Sequence, residues 1–138
     1  MCLYISQSRS EMMARKFIVE NTETITVYKI LDHTNKGELQ STCYFTFKWN
    51  KPGTYKAKGR INKNSNIIEQ GAFHAYVSHQ RAISSWLYNE FIYLSTPKIV
   101  ELEINVKDIV GYSNTEEIAF TKCKLSKDEF KKATTNEK

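Results

Sequence analysis

Between Lys98 and Val106 the segment KIVELEINV places Val100, Leu102, Ile104 and Val106 at every second position, with Glu101 and Glu103 between them. Only an extended chain gathers such positions on one face, because successive side chains of a strand point to opposite sides. The segment is expected as a strand with one face in a core and the other in water. TCYFTFKW (42–49) alternates in the same way, with Cys43, Phe45, Phe47 and Trp49 on one side. TYKAKGRI (54–61) sets Tyr55, Ala57 and Ile61 against Lys56, Lys58 and Arg60. TITVYKIL (24–31) and EIAFTKCKL (117–125) are strands by their β-branched and aromatic content.

Turn chemistry separates these runs. Asn35 and Gly37 punctuate DHTNKGE (32–38), and Pro52 and Gly53 suit a turn in NKPG (50–53). DIVGYSNTE (108–116) contains another turn, and NKNSN (62–66) is a polar loop. The NKPG turn joins the two alternating segments around it into an expected hairpin.

Helical spacing occurs once at length. Ala82, Ile83, Trp86, Leu87 and Phe91 form one apolar stripe, Ser78 is a candidate N-cap, and Pro97 stops the helix near Tyr93. SKDE (126–129) is a capping box, Ser126 with Glu129, opening a short second helix. Residues 1–20 lack clear periodicity and are expected as an irregular arm that packing could order. The expected fold is α+β: one domain over 21–131, with five to six mostly antiparallel strands, one main central helix, a short C-terminal helix and a frayed 132–138 tail. At 138 residues one core is the natural number.

Charge is the next constraint. The formal net charge is +5, and from Lys48 to Ile68 there are six basic residues and no acid. The rest of the chain holds 14 basic against 15 acidic residues, so one segment carries the excess. Lys48, Lys51, Lys56, Lys58, Arg60 and Lys63 thus make the expected partner-binding surface, with Tyr44 and Tyr55 near enough to stack on bases. Phosphates or an acidic protein surface would answer it. A solubilising strand face is the alternative, since lysines also discourage edge pairing.

Candidate chemistry is sparse. The three cysteines, Cys2, Cys43 and Cys123, are odd in number and far apart, which fits reduced thiols in a cytoplasmic protein. Their spacing suits no zinc site, so no metal is expected. No apolar run approaches the roughly 20 residues of a membrane helix, and no signal-peptide segment opens the chain. Cys2 beside a freed α-amino group would match an N-terminal nucleophile, but no base or oxyanion hole can be assigned to it. His74, in QGAFHAYVSH (70–79), follows a glycine turn and precedes the helix. Its expected role is to brace that turn, with a general base or ligand donor as the second reading. Glu116 and Glu117 are adjacent on a strand, point to opposite faces, and cannot act as a dyad.

Two resemblances follow from motifs. MCLY at the start, ITVYKIL, PGTY, GAFHAY and IVELEINV together resemble a group of small uncharacterised proteins common in bacteriophages and their hosts. That resemblance implies a phage-type accessory role in the host cytoplasm, or a place in the virion. The order TVYKIL, GAF, AISSWLY, VELEI and EEIAF is similar to ADP-ribosyltransferases. This likeness implies ligand-holding groups at Tyr28, Phe73 and His74, a catalytic glutamate at Glu117 (or Glu116), and NAD or another nucleotide as ligand. The family's His-Gly or Arg-Gly pair is replaced by Tyr28-Lys29, and no Ser-Thr-Ser element is present.

The expected function is binding without a cofactor: an accessory protein that meets a nucleic acid or an acidic host protein through a basic hairpin. A degenerate transferase-like nucleotide site is the alternative, and a virion component a third.

Overall fold

A computed structural model describes residues 7–20, 23–34, 37–41, 48–57, 72–89, 97–113 and 116–135, without the side chains of 7–11, 13 and 85–89. The strands within these residues are β1 (Thr24–His33), β2 (Leu39–Ser41), β3 (Gly53–Lys56), β4 (Phe73–Tyr76), β5 (Pro97–Asn105), β6 (Ile109–Tyr112), β7 (Glu117–Phe120) and β8 (Lys122–Leu125). Three helices join them, α1 (Gln7–Glu20), α2 (His79–Asn89) and α3 (Lys127–Thr134), with a 3-10 turn at Val106–Asp108. The class is α+β, as the sequence predicts, with more strands than expected.

All eight strands form one antiparallel sheet in the order β3-β8-β5-β1-β4-β7-β6, with β2 also on β1. The β1–β5 ladder is its spine, running from Thr24 opposite Asn105 to Asp32 opposite Pro97. β5 alternates as its sequence demands, with Val100, Leu102 and Ile104 buried and Glu101 and Glu103 exposed. Pro97 opens the strand, where its missing N–H costs least.

β7 and β8 are separated in the sheet by β4, β1 and β5, yet only Thr121 lies between them in the chain. In a flat sheet four strand spacings of about 4.8 Å would hold them roughly 19 Å apart. Two residues reach about 7 Å. The sheet therefore curls round on itself, and its concave side encloses the core: Val27, Leu31, Leu102, Ile118, Phe120 and Leu125 are 0–1% exposed. Thr121 fixes the joint, donating its backbone N–H to Asp108 O at 3.0 Å and accepting from Ala57 N at 2.8 Å.

Trp49 is wholly buried; its Nε1 donates to Ser41 Oγ at 3.0 Å, and its ring meets Tyr55 at 4.5 Å and Phe73 at 5.1 Å. The arm at 1–20 is corrected: residues 7–20 are helical, because Ala14, Phe17 and Ile18 recur at i, i+3 and i+4 and join the core, with Phe17 stacked on Tyr112 at 5.0 Å. α2 lies on the convex side, where Ala82 packs against Ile30 and Tyr76. Ser78 begins it as expected, its Oγ accepting from Arg81 N at 3.1 Å. Ser126 caps α3, accepting from Glu129 N at 3.1 Å.

Two local expectations change. FHAY, placed by the sequence between a glycine turn and the helix, is a strand, buried on both faces between the core and the convex-side packing. EIAFTKCKL is two strands, since its halves pair with different neighbours.

Candidate functional site

The expected hairpin of 42–49 with 54–61 is not the pairing found for β3. Residues 53–56 pair instead with β8, and Lys48 bridges Gln40. The register sets Gly53 opposite Leu125, Thr54 opposite Lys124, Tyr55 opposite Cys123 and Lys56 opposite Lys122. Because opposed residues share a face, Tyr55 and Cys123 turn to the core while Thr54, Lys56, Lys122 and Lys124 share the convex side. Lys56 and Lys122 thus stand as a directly opposed like-charge pair, an arrangement that costs stability unless an anion lies between or above them. No ion pair reaches Lys56, Lys122 or Lys124 from the described residues.

β5 touches this ribbon at one register pair, Glu103 opposite Lys124. The chain then leaves for the 3-10 turn, and a cleft of about 190 Å³ opens, lined by Thr54, Glu103, Asn105, Asp108, Lys122 and Lys124 among others. Cys123 adds no reactivity, since burial pushes its thiol up to about 12 and leaves it protonated.

The residues expected to form the basic surface divide. Lys56 belongs to it, and Lys51 is exposed at the turn before β3. Lys48 is committed to Glu38 at 2.6 Å. Tyr55 is not available for stacking: its ring lies against Trp49, and its hydroxyl donates to Lys51 O. Tyr44, Lys58, Arg60 and Lys63 fall outside the described residues. The surface gains Lys122 and Lys124, which sequence reading missed although both alternate with Cys123 and Leu125.

On the convex face of β4 and β7 a second group assembles. Tyr76 lies opposite Glu117 and His74 opposite Ala119, so His74 and Glu117 are diagonal neighbours. His74 Nδ1 and Glu117 Oε1 are 4.0 Å apart, an ion pair when the imidazole is protonated, and their side chains are only 6% and 5% exposed. Burial raises the proton affinity of Glu117 above its ordinary value, while a hydrogen bond with Tyr76 and the charge of Lys29 draw it part of the way back. Lys29 donates from Nζ to His74 O at 2.7 Å, where β1 and β4 have only one register pair.

Of the other expected ligand residues, Tyr28 reaches the convex side and meets His79 edge-on at 5.5 Å. Phe73 does not: it faces the core against Trp49 and Phe120, so the placement of Phe73 with His74 in one ligand site is corrected by strand alternation. Glu116 lies outside the strand, at the residue before β7, so strand alternation does not set its direction. Its backbone is left-handed at φ 65°, and its carboxylate accepts from Ser78 Oγ at 3.3 Å and faces Arg81 Nε at 3.4 Å. Cys2 and Cys43 lie outside the described residues. Among the described residues no group of three or more His, Cys, Asp or Glu could hold a metal ion, and no helix is long and apolar enough to cross a membrane.

No family model, no curated protein and no solved structure matches the chain.

Proposed function

We propose that this protein acts by binding a polyanionic partner through the β3–β8 ribbon. The observation that carries the reading is the direct opposition of Lys56 and Lys122, with Lys124 on the same face and none of the three in an ion pair among the described residues. Two ammonium groups placed in register destabilise a free ribbon and become an asset once a phosphate or carboxylate joins them. The net charge of +5 steers an anionic partner toward the molecule and makes the association salt-sensitive. In a phage-type accessory role the partner is a nucleic acid or an acidic host protein.

The test is fluorescence anisotropy with a labelled single-stranded oligonucleotide and a poly-glutamate peptide over a salt series. Three lysines neutralising three phosphates give a slope of log K against log salt of about −2. Lys56→Glu with Lys122→Glu and Lys124→Glu should abolish binding. The single change Lys122→Glu should weaken binding while raising stability by about 0.2–1 kcal/mol, because it faces Lys56 with an opposite charge. Absence of wild-type binding to either probe at low ionic strength rejects the reading.

The 4.0 Å approach of His74 to Glu117 favours a second reading, a nucleotide site on the convex face of β4 and β7. The pair can hold and pass a proton, but it is covered, so a ligand must displace what lies over it. A rise in melting temperature with NAD or a mononucleotide, lost in His74→Ala, is expected under this reading; no shift with any nucleotide removes it.

A further inference from the structure

The basic ribbon does not end in open lysine surface; it ends in a cleft whose walls carry both signs of charge. Its lining brings together the acids Glu103 and Asp108, the amide residue Asn105 and the bases Lys122 and Lys124, with Thr54, Ile104 and Cys123. Glu103 and Lys124 are register partners, yet among the described residues neither they nor the other charged residues of the cleft form an ion pair. None of the four charges is in an ion pair among the described residues.

From this juxtaposition we infer that the partner is single-stranded nucleic acid and that the cleft between β5 and β8 takes one base by its edge. The inference rests on the polyanion reading and narrows it. An acidic peptide would bring its own carboxylates against Glu103 and Asp108, which like-charge repulsion disfavours. A nucleotide is anionic at its phosphate and carries hydrogen-bond donors on its base. Phosphates lie along Lys56, Lys122 and Lys124, while the base reaches the carboxylates.

The volume agrees with a base-sized occupant. About 190 Å³ is below the roughly 300 Å³ at which pockets for drug-sized ligands begin, so the cleft holds a base and leaves sugar and phosphate outside. Among the described residues no aromatic side chain lines it, so the base is held by its edge rather than by stacking. Stacking tolerates any base, whereas edge contacts discriminate. Carboxylates accept from the exocyclic amine of cytosine, and an asparagine amide pairs with adenine. Thymine has no exocyclic amine and would present carbonyl oxygens to Glu103 and Asp108. A duplex hides the Watson–Crick edge, so the substrate is an unpaired strand.

The experiment uses the whole chain and labelled 12-mers of dC, dA and dT at one fixed salt concentration. Binding to dC and dA should be at least about fivefold tighter than to dT, the low end of one base-edge contact. Glu103→Ala with Asp108→Ala should bring the dC-to-dT ratio to about one while leaving the Asn105 contact to adenine and the salt slope in place, because the lysines that set the slope remain. A dC oligomer dimethylated at N4 carries no amine hydrogens. It should bind the unaltered protein no better than dT does, a readout that needs no variant to fold. Equal affinity for all three unmodified oligomers overturns the inference and leaves the polyanion reading standing. So does a poly-glutamate peptide that binds as tightly as dC. Failure of every probe at low salt removes the polyanion reading itself.

Discussion

Glu117 keeps 4% of its surface exposed in β7, and burial there favours the protonated carboxyl. A carboxylate whose folded proton affinity exceeds its unfolded one makes the native state bind the extra proton. Its contribution to stability is therefore complete below the unfolded value of 4.5 and is lost as pH rises through the higher folded value. The Tyr76 hydroxyl and Lys29 limit the rise without reversing it. Glu117→Gln keeps an acceptor for Tyr76 and removes the titration. Urea unfolding at a series of pH values should show the wild type losing stability relative to Glu117→Gln as pH increases from about 4.5 toward neutrality. Parallel curves would mean that the carboxyl titrates alike in both states.

Strands marked by alternation or by a β-branched run were legible, and a short strand covered on both faces was not. β5 declares itself because Glu101 and Glu103 interrupt its apolar residues, and β1 because its β-branched run admits little else. β4 is buried at all four positions, so FHAY has no alternation to read, and glycine just before it suggests a turn. β7 is buried throughout as well, and nothing in EIAFTKCKL marks Thr121 as a joint. α1 hid for another reason. Met12 and Val19 are 66% and 79% exposed, and they blur the stripe made by Ala14, Phe17 and Ile18. The candidate site shared this fate in part. Lys56 is visible as one of a contiguous basic set, but Lys122 and Lys124 join it only through a pairing of chain segments far apart in sequence. Nothing local carries that register; it follows from the curl of the sheet.

At the scale of the molecule, that curl is what brings β8 beside β3 and opens the cleft against β5. Its closure passes through one residue. Thr121 links the strand on β4 to the strand on β5, and its two backbone hydrogen bonds tie the joint to Asp108 and to Ala57, at the start of β6 and the end of β3. The side chain matters less, with Oγ1 reaching Asp108 O only at 3.4 Å. Thr121→Ala keeps the backbone N–H and should cost less than about 1 kcal/mol. Thr121→Pro removes that donor, leaves the Asp108 carbonyl without it, and should cost about 3 kcal/mol. The loss should reach beyond stability. A loosened joint frees β8 from its register, so Thr121→Pro should also weaken oligonucleotide binding at salt concentrations where Thr121→Ala binds normally. Equal stability and equal binding in the two variants would show that the sheet holds its curvature without this joint, and that the ribbon's placement has another origin.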